Sequence, residues 1–251
     1  MRLDIAFTPA VLTNFEMAGR TIFVVDILRA TTVVCAALYH GARAVIPVAS
    51  TDEAIKLAQT LDSEDVLLAG ERNFVPIPGF ALGNSPLEMT ESAVKGKTLV
   101  ITTTNGTNTI LATQGASQVY LAAASNFTVA GDRARQQVLE TKDLLILCAG
   151  RGGSGFALED AYAAGRLAVA ALGGSRARKG LNDAALAAVD LVRRYGTRWN
   201  RPLVLSASGR QLTALGMGPD VADAAEQDRY PVLPLFHDRR ITAATVAVGA
   251  P

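Results

Sequence analysis

Short apolar runs recur along the chain, each closed by Gly, Thr, Ser or Asn and followed by an alanine-rich stretch with helical spacing. The runs fall at 21–25, 66–69, 98–102 and 144–148, with 44–48 and 119–122 between helices. Four to five apolar residues is strand length, and alternation with helical stretches is the rhythm of a sheet covered by helices. The pattern predicts an α/β fold, with a largely parallel or mixed central sheet flanked by helices.

The pattern also repeats. A strand at 21–25, a Thr-bearing loop, a helix ending at Gly41-Ala42 and a strand running to Ser50 match a second series from 98 to Ser125, where Gly115-Ala116 ends the helix. This predicts one α/β domain over 1–251 with repeat-like units at about 21–50 and 98–125, and two similar loops at one sheet edge. Ser50…Glu53 and Ser85…Glu88 have the spacing of capping boxes, in which a serine and a glutamate satisfy orphan backbone amides at a helix start. After a Gly/Arg-rich stretch at 173–180, helices expected near 182–195, 206–215 and 219–226 form a C-terminal covering part, about 174–251.

Composition narrows the partners. Twenty-four basic and 23 acidic side chains leave no long-range field for nucleic acid or an anionic membrane, so any anion specificity is local. Cys35 and Cys148 both sit in apolar runs, which fits free thiols in a reducing cytoplasm. No run reaches the roughly 18 apolar residues of a membrane helix. Neither nucleic acid nor membrane is expected as a partner, and a homodimer stays open.

Three strand-to-helix loops carry the candidate chemistry. In Asp26-Ile27-Leu28-Arg29-Ala30-Thr31-Thr32, Thr31 or Thr32 can cap the following helix while Arg29 and free amides face an anion. Thr102-Thr103-Thr104-Asn105-Gly106-Thr107 concentrates hydroxyls, an amide and a glycine. Gly150-Arg151-Gly152-Gly153-Ser154-Gly155 fits a dinucleotide loop, but no acidic residue follows within roughly 20 positions at a strand end, which weakens a nicotinamide reading. Glu159 and Asp160 then open a helix. Together with Asp26 they are expected to be catalytic and to bind Mg²⁺, which takes one or two carboxylates plus phosphate and water. Glu71 and Arg72 follow another strand, so Arg29, Arg72 and Arg151 can gather around a polyanion. Cys148, at a strand end, reads either as plain core or as a nucleophile.

These segments, with Gly83-Asn84-Ser85-Pro86-Leu87-Glu88 and Ala157-Leu158-Glu159-Asp160, closely resemble the 2-phosphosulfolactate phosphatase family, in order from about Thr21 to the Pro231 region. The resemblance implies a three-layer α/β/α fold and Mg²⁺-dependent hydrolysis of a small anionic phosphoester, 2-phosphosulfolactate, to 3-sulfolactate and phosphate, a step of coenzyme M biosynthesis. It adds Asn84, Cys148 and Gly150 to a substrate-binding set of Arg29, Thr31, Thr32, Glu71, Arg72, Thr104, Asn105, Gly106, Thr107 and Arg151. Three alternatives remain: a phosphatase for another 2-phospho-organic acid, a non-catalytic sensor of a phosphorylated metabolite, and a dinucleotide-binding protein using Gly150 to Gly155.

Overall fold

The computed structural model describes residues 1–61, 65–173 and 179–244. Positions 174–178 of the Gly/Arg-rich stretch and 245–251 of the expected covering part lie outside the described residues.

One mixed sheet of ten strands organises them, in the order β1-β8-β2-β7-β9-β10-β3-β6-β4-β5. The strands are β1 (Arg2–Ala6), β2 (Thr21–Val25), β3 (Ala44–Pro47), β4 (Val66–Arg72), β5 (Val75–Pro76), β6 (Thr98–Thr102), β7 (Gln118–Ala122), β8 (Asp143–Cys148), β9 (Pro234–His237) and β10 (Arg240–Ala243). The helices are α1 (Ala30–Tyr39), α2 (Thr51–Thr60), α3 (Glu91–Val94), α4 (Gly106–Leu111), α5 (Phe127–Thr141), α6 (Leu158–Ala171), α7 (Asp183–Tyr195), α8 (Asn200–Leu205), α9 (Ala207–Ala214) and α10 (Gly218–Ala224). The α/β class and the mixed sheet agree with the sequence pattern. Among the described residues no helix is long and apolar enough to cross a membrane.

The six strands expected from apolar runs are present, and four more appear. β1 was hidden because Arg2 and Asp4 interrupt Leu3 and Ile5; those charges find partners in Asp143 and Arg20 at the sheet edge. β9 and β10 are four residues each, too short to show a period. The C-terminal part therefore contributes two strands to the middle of the sheet as well as the helices α7 to α10.

Reading outward from the antiparallel β9–β10 pair, the strands run β7, β2, β8 on one side and β3, β6, β4 on the other. The chain orders β2-α1-β3-α2-β4 and β6-α4-β7-α5-β8 match, and each helix α1 or α4 carries the chain from one half of the sheet to the other. Strand direction reverses between β7 and β3. Sheet twist of about 20–25° per strand turns β6 by roughly 100–125° relative to β2 over five steps, so the reversal leaves the two at an acute angle and lets their C-terminal ends meet.

The two-residue period of the strands divides the core. Ile22 and Val24 of β2 join Leu99 and Ile101 of β6 around α1 and Ile110 of α4. Phe23 and Val25 face the other way, onto α5 and α6. All five residues of β2 are buried, as a central parallel strand with helices on both faces requires. Gly165 lets α7 lie against α6: a Cβ there would sit 2.2 Å from the Ala188 carbonyl oxygen. Ser50 caps α2 by accepting from Glu53 N–H, while Glu53 reaches back to Ala49 N–H, one residue beyond the expected reciprocal bond.

Candidate active site

The loops that follow β2, β4, β6 and β8 meet at one cavity of about 360 Å³. The two Thr-bearing loops are built alike. Asp26 N–H donates to Thr31 Oγ1 (3.2 Å), whose hydroxyl donates to the Asp26 carbonyl (2.8 Å). Thr103 N–H donates to Thr107 Oγ1 (3.0 Å), whose hydroxyl donates to the Thr103 carbonyl (3.2 Å). Thr32 donates to the Ile27 carbonyl (2.9 Å). Thr31, Thr32 and Thr107 are thus buried and shape the loops, while Asp26 and Thr103 occupy equivalent places in the cavity wall.

Gly106 is held tightly against this wall. A Cβ on it would lie 2.4 Å from Asp26 Oδ2 and 2.4 Å from Ala30 Cβ, so the α4 start approaches the carboxylate as only a glycine allows. Gly70 has the same function between β4 and β6, where a Cβ would fall 2.1 Å from the Thr102 carbonyl oxygen.

Glu71 ties two loops together: it accepts from Thr104 N–H (2.7 Å), Thr104 Oγ1 (3.0 Å) and Phe74 N–H (2.6 Å). The last bond secures a two-residue turn in which Asn73 and Phe74 both take positive φ, 52° and 70°. Such a turn matches the twist of the β4–β5 hairpin at a conformational cost for phenylalanine. Arg72 turns away from the cavity, donating to the Glu71 carbonyl and to Thr102 Oγ1, both at 2.8 Å.

Behind Asp26 lie Glu159 and Asp160, both buried in the first turn of α6. Asp160 accepts from Ile27 N–H (3.0 Å) and Gly150 N–H (3.1 Å), joining the β2 and β8 loops. Glu159 Oε2 is buried without a hydrogen-bond partner. Burial, then the negative charges of Glu71 and Glu159, pushes the Asp26 carboxyl up to about 7, against the pull of Arg29. Burial, Asp26 and Glu159 hold Asp160 well above the ordinary carboxylate range. Cys148 is buried and outside the cavity wall, and burial followed by Asp160 and Glu159 raises its thiol well above normal, which opposes a thiolate nucleophile.

Among the described residues no three His, Cys, Asp or Glu side chains form a metal-ligating group. The donor set still suits Mg²⁺ with two protein carboxylates: Asp26 lines the cavity and Glu159 has an unpartnered buried oxygen. Asp160 fits such a site less well, because each of its oxygens already accepts from a backbone amide.

Arg29, Arg151, Asn84, Thr104 and Asn105 all reach the cavity wall. Asn84 Oδ1 and Arg29 Nε are buried there without partners. Asn105 Oδ1 accepts from Gly152 N–H (2.9 Å), clasping the β6 and β8 loops. The Gly150–Gly155 loop closes on itself, with Arg151 and Gly155 exchanging backbone hydrogen bonds of 2.8 and 2.7 Å. With the Gly150 and Gly152 amides also occupied, four of the loop's six amides are already bonded within the protein, which weakens the dinucleotide reading.

Sequence reasoning included Thr103 in the β6 loop without giving it a role, and missed Phe74, Gln211 and Asp220. Thr103 was legible as the repeat partner of Asp26. Gln211 bonds Arg151 (3.1 Å) from α9, and Asp220 bonds Arg29 (2.6 Å) from α10; nothing local marks either residue.

Fold and cavity define an α/β protein with one polar, arginine- and carboxylate-lined site where strand-end loops converge. Residues 6–239 match the family described as 2-phosphosulpholactate phosphatase, and the chain belongs to that family. A protein of Symbiobacterium thermophilum named "Probable 2-phosphosulfolactate phosphatase" is 41% identical over 227 residues, covering 90% of this chain and 95% of its own. One of Clostridium novyi with the same name is 32% identical over 247 residues, covering 96% of this chain and 100% of its own.

Proposed function

We propose that this protein is a phosphoric monoester hydrolase that converts 2-phosphosulfolactate and water to 3-sulfolactate and phosphate, using Mg²⁺, in the cytoplasm and as a step towards coenzyme M. The observation that carries the reading is the buried Asp26 carboxylate in the same cavity wall as Arg29 and Arg151. The substrate brings phosphate, sulfonate and carboxylate to one small volume, and two guanidinium groups with an adjacent cation match that charge.

Asp26 and Glu159 would hold the metal, with Asp160 keeping the β2 and β8 loops in register beside them. A bound Mg²⁺ supplies charge neutralisation at the phosphoryl oxygens and orients water. The chain's own work is positional. Arg29 and Arg151 hold the anionic groups, while Thr103, Thr104 and Asn105 form the facing wall, and Glu71 fixes the Thr104 segment. Water adds to phosphorus, the ester P–O bond breaks, and the 2-oxygen leaves with a proton.

Phosphate release from 2-phosphosulfolactate, 2-phospholactate and p-nitrophenyl phosphate, each with Mg²⁺ and with EDTA, tests the reading. Metal-dependent turnover with preference for the sulfonated ester supports it. Preference for 2-phospholactate moves the substrate to another 2-phospho-organic acid, and ligand-induced stabilisation without turnover of any ester would make the protein a sensor.

A further inference from the structure

Arg29 is almost wholly buried, yet its guanidinium is bonded at one end only. Nη1 donates to Asp220 Oδ2 (2.6 Å) and approaches Met217 Sδ (3.2 Å). Nε is buried and unpartnered, and among the described residues Nη2 donates no hydrogen bond. The Nε–Nη2 edge is the side-on fork by which arginine grips a carboxylate, sulfonate or phosphate with two parallel bonds. Here that edge belongs to a residue in the cavity wall.

Asp220 is itself pinned. Its other oxygen, Oδ1, accepts from Ser85 Oγ at 2.7 Å, and Ser85 caps the short 3-10 helix Pro86–Glu88 by accepting from Leu87 N–H. Arg29 and Asp220 side chains are only 3% and 6% exposed, so solvent does not compete for the pair. The line Ser85–Asp220–Arg29 thus links the segment after β5, the start of α10 and the β2 loop.

We infer that Asp220 is a positioning residue for substrate binding: with Ser85 it clamps Nη1 of Arg29 so that the Nε–Nη2 edge stays turned to a substrate anion. The α10 segment thereby joins Gln211 of α9 in supporting a site whose arginines come from strand-end loops. The inference rests on the proposed reading of the cavity as an anion-binding hydrolase site. Asp220 touches no reacting atom in it, so its loss acts on binding through Arg29.

The test is a double-mutant cycle of Asp220→Asn and Arg29→Lys, read as KM and kcat for 2-phosphosulfolactate and as the Kd of inorganic phosphate by calorimetry. Asp220→Asn is expected to raise KM about tenfold and to lower kcat less than it raises KM. In the Arg29→Lys background the same change should cost under twofold, because the fork it serves is gone. Ser85→Ala, which leaves the ion pair intact, should shift KM the same way by a smaller factor. If Asp220→Asn destabilises the fold, Ser85→Ala and its own cycle with Arg29→Lys carry the test. Additive effects of the two substitutions, or a fall in kcat with KM unchanged, would overturn the clamp. If the wild type turns over no ester, the hydrolase reading fails, while phosphate binding that Asp220→Asn and Ser85→Ala weaken in the wild-type background but not in the Arg29→Lys background still supports the clamp. Wild-type protein that binds no phosphate and turns over no ester would overturn both.

Discussion

Gly106 and Asp26 are in contact across the two halves of the sheet: the α-carbon of one packs so closely on the carboxylate of the other that a Cβ would stand 2.4 Å from Oδ2. One glycine thus sets how near the β6 loop comes to the acid on the β2 loop. Gly106→Ala should push Asp26 or Ala30 aside, lower kcat/KM on the order of 100-fold and destabilise the fold by about 1–3 kcal/mol, the usual range for overpacking. Steady-state kinetics beside thermal unfolding checks this, and unchanged kcat/KM would refute the contact.

The buried carboxylates make the metal-free protein sensitive to pH. Asp26 titrates at about 7 in the fold, against an ordinary value of 3.8 when unfolded. Between those values the folded state binds the extra proton, so its stability falls as pH rises from about 4 to about 7. Asp26→Asn removes that proton exchange. Thermal unfolding in EDTA should therefore show Tm of the wild type dropping across this window more steeply than Tm of Asp26→Asn; parallel profiles would contradict the assignment.

A divalent cation should meet the same charge from the other side. Mg²⁺ is expected to raise Tm more at pH 8 than at pH 5, since at pH 5 a proton already occupies Asp26, which burial pushes up to about 7. Glu159→Gln should weaken Mg²⁺ by at least about tenfold, whereas wild-type enzyme stripped with EDTA should recover activity on adding Mg²⁺. Titration of Mg²⁺ against Tm and turnover gives both numbers. Equal Mg²⁺ affinity for wild type and Glu159→Gln would remove Glu159 from the metal site.

Cys148 lies beneath the site without lining it. Cys148→Ala should keep kcat within about threefold and cost roughly 1–2 kcal/mol as a small buried truncation, and iodoacetamide should leave the native enzyme active. Abolished turnover in a folded Cys148→Ala protein would restore the thiol as a nucleophile.

Much of this architecture was legible because strands and helices write their periods locally. Apolar runs at 21–25 and 98–102, each followed by a Thr-bearing loop, marked both repeat-like segments and put Asp26 and Thr102 to Thr107 at strand ends. The roles within the loops were less legible. Thr31 read as a helix cap beside an anion site and Thr107 as one of a cluster of hydroxyls suited to an anion, yet each closes its own loop, because a hydroxyl beside free backbone groups satisfies those first. Likewise the glycines from 150 to 155 matched a dinucleotide pattern, but four of the loop's six amides bond Asp160, Asn105 and one another.

The sequence by itself determined the α/β class, the strand-end loops and the acidic and basic residues at them, since each depends on side chains within a few positions. Only the tertiary structure decided that β9 and β10 join two half-sheets, that Gly106 meets Asp26, and that Asp220 and Gln211 reach Arg29 and Arg151 across 191 and 60 positions. Those pairings arise from sheet twist and helix packing summed over the whole chain, and no local pattern carries that sum.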